Sequence, residues 1–167
     1  DKSGNHYLSA PTGVYEMTLT DTFLYPFDNE IGQTEKLFCW DGTVLLGRYG
    51  KGLYVLDSGA FKKVFINAQD FSIYSFDTTS SGLWLNSYGK GIVHISDDWK
   101  FMNVTQNEGL IGNAVHKLAA DDFGNVWMGD LFDGFSVFKE SMFKRTGDPA
   151  WMDEVYQIEE KNDTFYF

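Results

Sequence analysis

Short runs of consecutive apolar residues recur along the chain, each bounded by a turn rich in glycine, serine, asparagine or aspartate. Examples are VLL at 44–46, LWL at 83–85 and VWM at 126–128. The runs lack the spacing of three and four that marks an amphipathic helix, so they predict β-strands. Because apolar residues fill consecutive rather than alternate positions, these strands are expected to be buried on both faces, unlike strands of a sandwich with one wet face.

The runs belong to a pattern that returns about every 40 residues. Each repeat has an aromatic or aliphatic anchor, followed by a glycine that begins the next predicted strand. The anchors are Tyr7, Leu45, Trp84, Trp127 and Tyr166, and the glycines are Gly13, Gly52, Gly91 and Gly134. Several short strands in a period of this length are typical of propeller blades. We therefore predict an all-β chain of β-propeller blades, each with four antiparallel strands A to D, comprising about four repeats of a larger propeller.

The repeats also predict the domain organisation, a partial β-propeller over residues 1–167. The expected repeats are approximately 1–35, 36–70, 71–113 and 114–153, with the start of a further blade at 154–167. The sequence opens in the turn before one strand B and stops inside another. We therefore expect a piece of a longer chain, whose remaining blades would cover the apolar faces left at the two ends.

Composition and net charge limit the kinds of partner that this chain is expected to bind. The chain has 15 Phe, 9 Tyr and 5 Trp, which predict an aromatic core, and a formal net charge of -11. An acidic protein is a poor partner for nucleic acid or for an anionic membrane surface. There is no run of 18 apolar residues and the first ten residues are polar, so neither direct membrane insertion nor a signal peptide is expected in this chain.

Residues with catalytic or metal-binding chemistry are sparse. A single cysteine, Cys39, cannot form an internal disulfide, and its Phe and Trp neighbours predict a buried thiol. His94 and His116 lie on predicted strands with no nucleophile at motif spacing. Asp121 and Asp122 lack the regular oxygen ligands of a calcium loop, and a tight turn accounts for them. We expect no catalytic residues, no metal and no cofactor.

One repeat, over residues 109–139, carries a family pattern. It reads Gly-Leu, Asn-x-Val, an acidic-Gly-Asn turn, Trp and Gly, then a glycine and an aromatic residue. The matching positions are Gly109, Leu110, Asn113, Val115, Asp122, Gly124, Asn125, Trp127, Gly129, Gly134 and Phe138. This repeat resembles the two-component regulator propeller repeat. The three earlier repeats fit less well; in one of them Leu45 takes the place of the tryptophan.

The resemblance implies a place in a larger protein. Repeats of this family form the extracytoplasmic sensor region of hybrid two-component histidine kinases in Bacteroidetes, whose usual signals are oligosaccharides. It therefore implies a periplasmic location, as part of an inner-membrane protein, and a homodimer formed through parent segments absent here. The implied function is sensing of an oligosaccharide to regulate polysaccharide utilisation. The kinase core is not among these residues, so we expect this chain not to be an enzyme.

Ligand-binding residues are expected in the loops between strands B and C. These loops and the D-to-A loops leave an up-and-down blade on the same face, and the B-to-C loops vary while the strands stay alike. Aromatic rings there could stack on sugars, polar groups could bond hydroxyls, and cations could favour an acidic sugar. The candidates are Arg48, Tyr49, Lys51, Asn86, Tyr88, Lys90, Asp130 and Phe132. The alternatives are that the tyrosines pack between blades and that the cations are solvated.

Two other functions stay open, a propeller that serves as a protein-interaction platform and a propeller glycoside hydrolase or lyase. The string ADDFGNVW, at 120–127, approaches the Asp-box of sialidase-type propellers. Ala120 stands where that motif has Ser or Thr, however, and the motif is a structural turn. Binding of a glycan without turnover would separate a sensor from both alternatives.

Overall fold

The computed structural model describes residues 1–27, 34–64, 72–87 and 89–139, and the backbone of three further strands at Met142–Thr146, Glu159–Lys161 and Thr164–Tyr166. These residues form strands joined by turns, bends and irregular loops, with no helix among them. Within them, no helix is long and apolar enough to cross a membrane.

The strands follow one another with short connections. In chain order they are β1 (His6–Ala10), β2 (Gly13–Met17), β3 (Thr22–Pro26), β4 (Thr34–Trp40), β5 (Thr43–Arg48), β6 (Gly52–Asp57), β7 (Ala60–Val64), β8 (Ile73–Thr79), β9 (Gly82–Ser87), β10 (Gly91–Ile95), β11 (Phe101–Val104), β12 (Val115–Ala120), β13 (Val126–Asp130), β14 (Gly134–Lys139), β15 (Met142–Thr146), β16 (Glu159–Lys161) and β17 (Thr164–Tyr166). Each strand pairs antiparallel with its neighbour in sequence inside its sheet.

Strands β4–β7, β8–β11 and β12–β15 form three four-stranded sheets, and β1–β3 form a three-stranded one. We call the sheets of β1–β3, β4–β7, β8–β11 and β12–β15 blades 1 to 4. The prediction of an all-β chain with blades of four antiparallel strands is confirmed. One expected repeat boundary, between residues 35 and 36, falls inside β4, which begins at Thr34.

The chain divides into two compact units, residues 1–73 and residues 74–167. The first holds blades 1 and 2, and the second holds blades 3 and 4 with the β16–β17 hairpin, except that Ile73 at the start of β8 belongs to the first. Each unit is described by itself below.

The sequence repeat is also a repeat of strand register. Each anchor on strand B pairs with a strand C residue at the same distance from the loop that joins the two strands. These pairs are Leu45 with Val55, Trp84 with His94, and Trp127 with Val137. The last residues of strand B pair likewise with the first glycine of strand C, as Arg48–Gly52, Ser87–Gly91 and Asp130–Gly134. The B-to-C loops of blades 2, 3 and 4 therefore begin and end at equivalent positions.

Trp84 is the central side chain of the second unit. It is fully buried in β9, a strand whose six residues are all buried. Its ring centroid lies 4.3 Å from that of His94 in its own blade and 4.7 Å from that of Phe138 in blade 4. The core cluster around it takes side chains from both blades: Trp84, Ile92, Val104, Leu110, Val115, Leu118, Val126 and Met128. The face of β9 that carries Trp84 is thus covered by the neighbouring sheet of blade 4.

Trp127 has the same register position but is only half-buried. Its indole nitrogen donates a hydrogen bond to Asp121 Oδ2 (3.1 Å), as that of Trp84 does to Thr79 Oγ1 (3.1 Å). The shared position therefore fixes the polar edge of the indole at the A-to-B turn in both blades. The depth of burial differs between them.

Two of the glycines that begin strand C are required by a close backbone approach. Gly91 has a φ of +79°, and a Cβ there would lie 2.1 Å from the carbonyl oxygen of Val104. Gly13 in blade 1 meets Tyr25 O in the same way, at 2.3 Å. In both blades the missing side chain lets the start of strand C lie directly against strand D. The glycine that marks the repeat is therefore a packing requirement in these blades.

We expect Trp84→Ala to lower the free energy of unfolding by about 3–5 kcal/mol, because it leaves a large cavity between two sheets. Chemical denaturation followed by circular dichroism measures this. Phe123→Ala is the control, since that ring is 77% exposed, and we expect a change within about 0.5 kcal/mol. Equal stability of the two variants would contradict the packing described here.

A second pair of variants separates backbone strain from crowding. Gly89 (φ +72°) and Gly91 (φ +79°) share the left-handed conformation, but only at Gly91 would an added Cβ have another atom within 4 Å. We expect Gly89→Ala to cost about 1–2 kcal/mol for conformation alone. Gly91→Ala should cost clearly more, because Val104 must move. Denaturation midpoints of the two variants measure the difference, and equal midpoints would refute the crowding.

Candidate functional site

In the second unit the B-to-C loops and the D-to-A segment lie together, as expected from the strand directions. The D-to-A segment of residues 105–114 contacts both loops through its backbone. Gly91 N donates to Asn113 O (3.0 Å), and Leu131 N donates to Ala114 O (3.2 Å). We call the B-to-C loops of blades 3 and 4 together with residues 105–114 the loop face.

Residues 105–114 are held in place by their own side chains. Glu108 Oε2 accepts bonds from the backbone nitrogen and the hydroxyl of Thr105, and Asn113 Oδ1 accepts one from Gln106 N. The segment is attached to blade 4 where Ile111 N donates to the buried hydroxyl of Ser136 at 2.9 Å. This loop therefore supplies a fixed support for its neighbours, which a recognition site requires.

Three of the candidate residues do not stand in solvent. Arg48, Asn86 and Asp130 belong to strand B and are buried. The guanidinium carbon of Arg48 lies 4.3 Å from the centroid of the Phe27 ring, which is a cation–π contact within the first unit. The prediction that Arg48, Asn86 and Asp130 lie in exposed loops is wrong, because strand B of each blade extends through the residue.

Asn86 joins strands of adjacent blades. Its Oδ1 accepts bonds from Tyr74 N (2.9 Å) and Ser75 N (2.5 Å). Its Nδ2 donates to the carbonyl oxygens of Val115 (2.9 Å) and His116 (2.7 Å). Both donors and both lone pairs of the amide are thereby used. Asn86 fixes β8 and β12 against β9, and its amide is saturated by protein partners.

The other described candidates are exposed. The rings of Tyr49 and Phe132 are each 61% exposed, and Lys51 and Lys90 are exposed as well. Packing of Tyr49 between blades is therefore contradicted. Tyr88 lies outside the described residues.

Asp130 orients the loop that presents Phe132. It is 1% exposed, and its Oδ1 accepts bonds from Phe132 N (3.0 Å) and Asp133 N (3.3 Å). An aspartate that bonds backbone nitrogens two and three residues ahead closes a tight turn. The buried carboxylate thus fixes the backbone beneath an exposed aromatic ring. Sequence reasoning missed Asp133, although the spacing Asp-x-x-Asp-Gly at 130–134 could have indicated it.

The A-to-B turns, at the other end of strand B, are built around an aspartate. In blade 4, Asp121 Oδ1 accepts bonds from Phe123 N (3.0 Å) and Asn125 N (2.8 Å). Its Oδ2 accepts bonds from Asn125 Nδ2 (2.7 Å) and Trp127 Nε1 (3.1 Å). The turn acid is therefore Asp121 and not Asp122, the residue that the family pattern indicates. Its oxygens are occupied by protein donors, so the motif is structural.

Blade 1 repeats this turn. Asp1 Oδ1 accepts bonds from Ser3 N and Asn5 N, both at 2.9 Å, and its Oδ2 accepts one from the Tyr7 hydroxyl at 3.2 Å. The acid, the glycine at position 4 and Asn5 match Asp121, Gly124 and Asn125 residue for residue. The A-to-B turn of the first repeat therefore resembles that of the fourth more than the sequences of their strands do.

The titratable cluster of blade 1 has a structural role. Glu16 accepts bonds from the hydroxyls of Tyr7 (2.8 Å) and Tyr25 (2.5 Å), one residue from each strand of that sheet. Burial, followed by the bond to Glu16, raises the pKa of Tyr7 to about 12. A tyrosine held protonated in this way donates a hydrogen bond and does not act as a base near neutral pH.

The cavities among the described residues include one in each unit. One, of about 320 Å³, lies between the A-to-B turns of blades 3 and 4, at 78–81 and 121–124. The other, of about 210 Å³, lies in the first unit and is lined by Tyr7, Phe38 and Cys39 among others. Cys39 is exposed, which corrects the expectation of a buried thiol. It alternates in β4 with the buried side chains of Phe38 and Trp40, so it points to the opposite face.

Among the described residues, no group of three or more His, Cys, Asp and Glu side chains is placed to hold a metal ion. The cysteine and the three histidines therefore form no zinc site in that part of the chain.

The fold is that of the β-propeller class, in which each blade is an antiparallel sheet. No protein-family model matches the chain. No curated protein matches it either. Solved structures do. The extracellular domain of the proposed hybrid two-component system BT4673 from B. thetaiotaomicron matches with a TM-score of 0.73 at 13% identity, over 97% of this chain and 23% of that one.

A second structure of the BT4673 extracellular domain, named as part of a one-component system, gives a TM-score of 0.70 at 14% identity, over 95% of this chain and 22% of that one. The extracellular domain of the proposed hybrid two-component system BT3049 from the same organism gives 0.59 at 20% identity, over 80% and 18%. The chain thus spans about a fifth of the length of these domains. At these identities the likeness establishes a shared fold, which is the fold that the repeat resemblance implied.

The Asp121 turn predicts a pH dependence of stability. Burial raises the pKa of this carboxyl, but hydrogen bonds from Asn125, Trp127 and Phe123 outweigh it, so the net pKa lies below its ordinary value. A carboxyl with a lowered pKa in the folded state stabilises the fold above its unfolded pKa, near 3.9. That contribution is lost as the pH falls through the folded-state pKa.

We therefore expect Asp121→Asn to lower the free energy of unfolding by about 1–3 kcal/mol at pH 6, and the difference from wild type to shrink below about pH 4. Denaturant titrations between pH 3 and about pH 6 measure this. Asp122→Asn, at the exposed neighbour, makes the same change in formal charge and serves as the control. A difference for Asp121→Asn that is independent of pH would contradict the assignment.

Proposed function

We propose that this chain is the ligand-binding part of the extracytoplasmic sensor region of a hybrid two-component histidine kinase, and that its B-to-C loops bind an oligosaccharide without chemical change. The observation that carries the proposal is the contrast at these loops. In blade 4 the buried carboxylate of Asp130 fixes the loop backbone, while the rings of Phe132 in that loop and of Tyr49 in the loop of blade 2 are mostly exposed. Exposed rings on rigid supports are what sugar faces stack against.

Support for the sensor role comes from the shared fold, since the matching structures are extracellular domains of proposed two-component systems. The proposal places the chain in the periplasm, among the remaining blades of a parent kinase. That parent would act as a homodimer through segments beyond the propeller and would regulate polysaccharide utilisation. Neither nucleic acid binding nor direct membrane insertion is part of this role.

Direct contact with the sugar is proposed for the exposed candidates, Tyr49, Lys51, Lys90 and Phe132, and for Tyr88. The buried candidates, Arg48, Asn86 and Asp130, would act by holding the loops. Lysines next to the rings favour a glycan that carries a carboxylate or a sulfate. A protein-interaction platform and a glycoside hydrolase or lyase are the competing functions.

The test is calorimetric titration of the parent's extracellular region with a panel of neutral, uronic acid and sulfated oligosaccharides. We expect one class to bind with a Kd in the micromolar range, about -8 kcal/mol at 1 µM. Phe132→Ala and Tyr49→Ala should each weaken binding about tenfold or more, with little change in Tm. Phe123→Ala is the matched control, an exposed phenylalanine at the opposite end of strand B.

Each other outcome rejects the proposal in a defined way. Release of shorter sugars during the titration would identify an enzyme. A panel without binding, together with saturable binding of a purified protein partner to the same loops, would identify an interaction platform. Equal weakening by Phe123→Ala and Phe132→Ala would show that the loop face is not the site.

A further inference from the structure

The carboxylate of Asp130 has one oxygen with no hydrogen-bond partner among the described residues. Its Oδ1 is bonded to two backbone nitrogens, whereas Oδ2 is inaccessible to solvent and accepts no bond. An oxygen of an ionised carboxylate that loses water without gaining a partner is costly for the folded state. A group that supplies positive charge at this point would remove that cost.

A second carboxylate oxygen faces the same point. A Cβ placed on Gly112, in the D-to-A segment, would lie 2.3 Å from Asp130 Oδ2 and 2.7 Å from Asp133 Oδ2. The two oxygens are therefore at most about 5 Å apart, on the side of Gly112 where a side chain would stand. Gly112 does not have a positive φ, so its backbone conformation does not require glycine. The absence of a side chain is needed for space.

Two ionised carboxylates that face one point repel each other, and a cation bound by both would remove that repulsion. Ca²⁺ binds oxygen ligands at about 2.3–2.6 Å, so two oxygens on one ion are at most about 5 Å apart, as these two are. The donors are all oxygen, and the chain provides no histidine or cysteine at this loop, which argues against zinc. Asp133 is exposed, so an ion would enter from the side of this residue, while Asp130 Oδ2 forms the buried end of the site.

We propose that Asp130 and Asp133 bind one calcium ion against Gly112, at the B-to-C loop of blade 4. Backbone carbonyl oxygens and water would complete the coordination. With only two carboxylates in the site, the Kd is expected in the range of about 10⁻⁴–10⁻³ M, typical of extracellular calcium modules. Because the two carboxylates bracket Phe132, the ion would lock the loop that presents this ring. The site does not depend on the identity of a sugar ligand.

The test is the Tm of the chain, stripped with EDTA and then titrated with CaCl₂ to 10 mM (about ten times the weakest expected Kd) at constant ionic strength. Wild type should gain about 3–10 °C, with half of the effect reached at about 1–2 mM Ca²⁺. Asp133→Asn should abolish the gain. This residue is exposed, so its replacement is expected to leave the fold intact. Asp122→Asn, which removes an equally exposed carboxylate elsewhere in the same unit, should keep the full gain.

Gly112→Ala provides an independent variant, since its methyl group would lie 2.3 Å from Asp130 Oδ2 and 2.7 Å from Asp133 Oδ2, and both oxygens would have to move. It should abolish the calcium effect while all carboxylates remain. No gain in the wild-type Tm up to 10 mM Ca²⁺ would overturn the proposal, as would an undiminished gain in Asp133→Asn. Loss of the gain in Asp122→Asn would show that calcium acts through general surface charge.

Discussion

Burial of strand B on both faces is the constraint on which the second unit depends. An indole at the middle of that strand fills the space between two sheets and contacts rings on either side. A sheet with one such face left uncovered would expose a large apolar surface. Once the middle strands are sandwiched, the polar groups must be satisfied at the strand ends. That is where Asn86 bonds both its own blade and the next, and where the turn aspartates are found.

The buried polar groups at the two ends of strand B are satisfied in different ways. At the A-to-B end the solution repeats: one carboxylate accepts bonds from the turn backbone and from the aromatic anchor, in blade 1 as in blade 4. At the B-to-C end the last residue of strand B is an arginine, a serine or an aspartate. A repeated geometry at one end fixes the blade, and variable chemistry at the other is available for recognition.

The fold followed from the sequence because its causes are local. Consecutive apolar residues, a glycine turn and a fixed period identify a blade strand without knowledge of its neighbours. The site followed only in part. Tyr49 and Phe132 are exposed as expected, but sequence cannot tell where a strand ends, and extension of β5 through Arg48 buries a side chain that a loop would have exposed. The prediction for Cys39 was wrong because aromatic neighbours in a strand point to the face opposite its own. The role of Asp121 required the turn geometry, which two adjacent aspartates leave ambiguous.

The position at the end of strand B has a consequence for how such proteins diversify. It is buried and fixed in register by the glycine opposite, and in blade 4 its side chain holds the following loop. A single substitution there could re-aim a loop while the sheet stays unchanged. Two receptors could then differ in the compounds they recognise although every residue that touches the compound is the same. Ligand specificity in blades of this kind would then depend partly on side chains that do not contact the ligand.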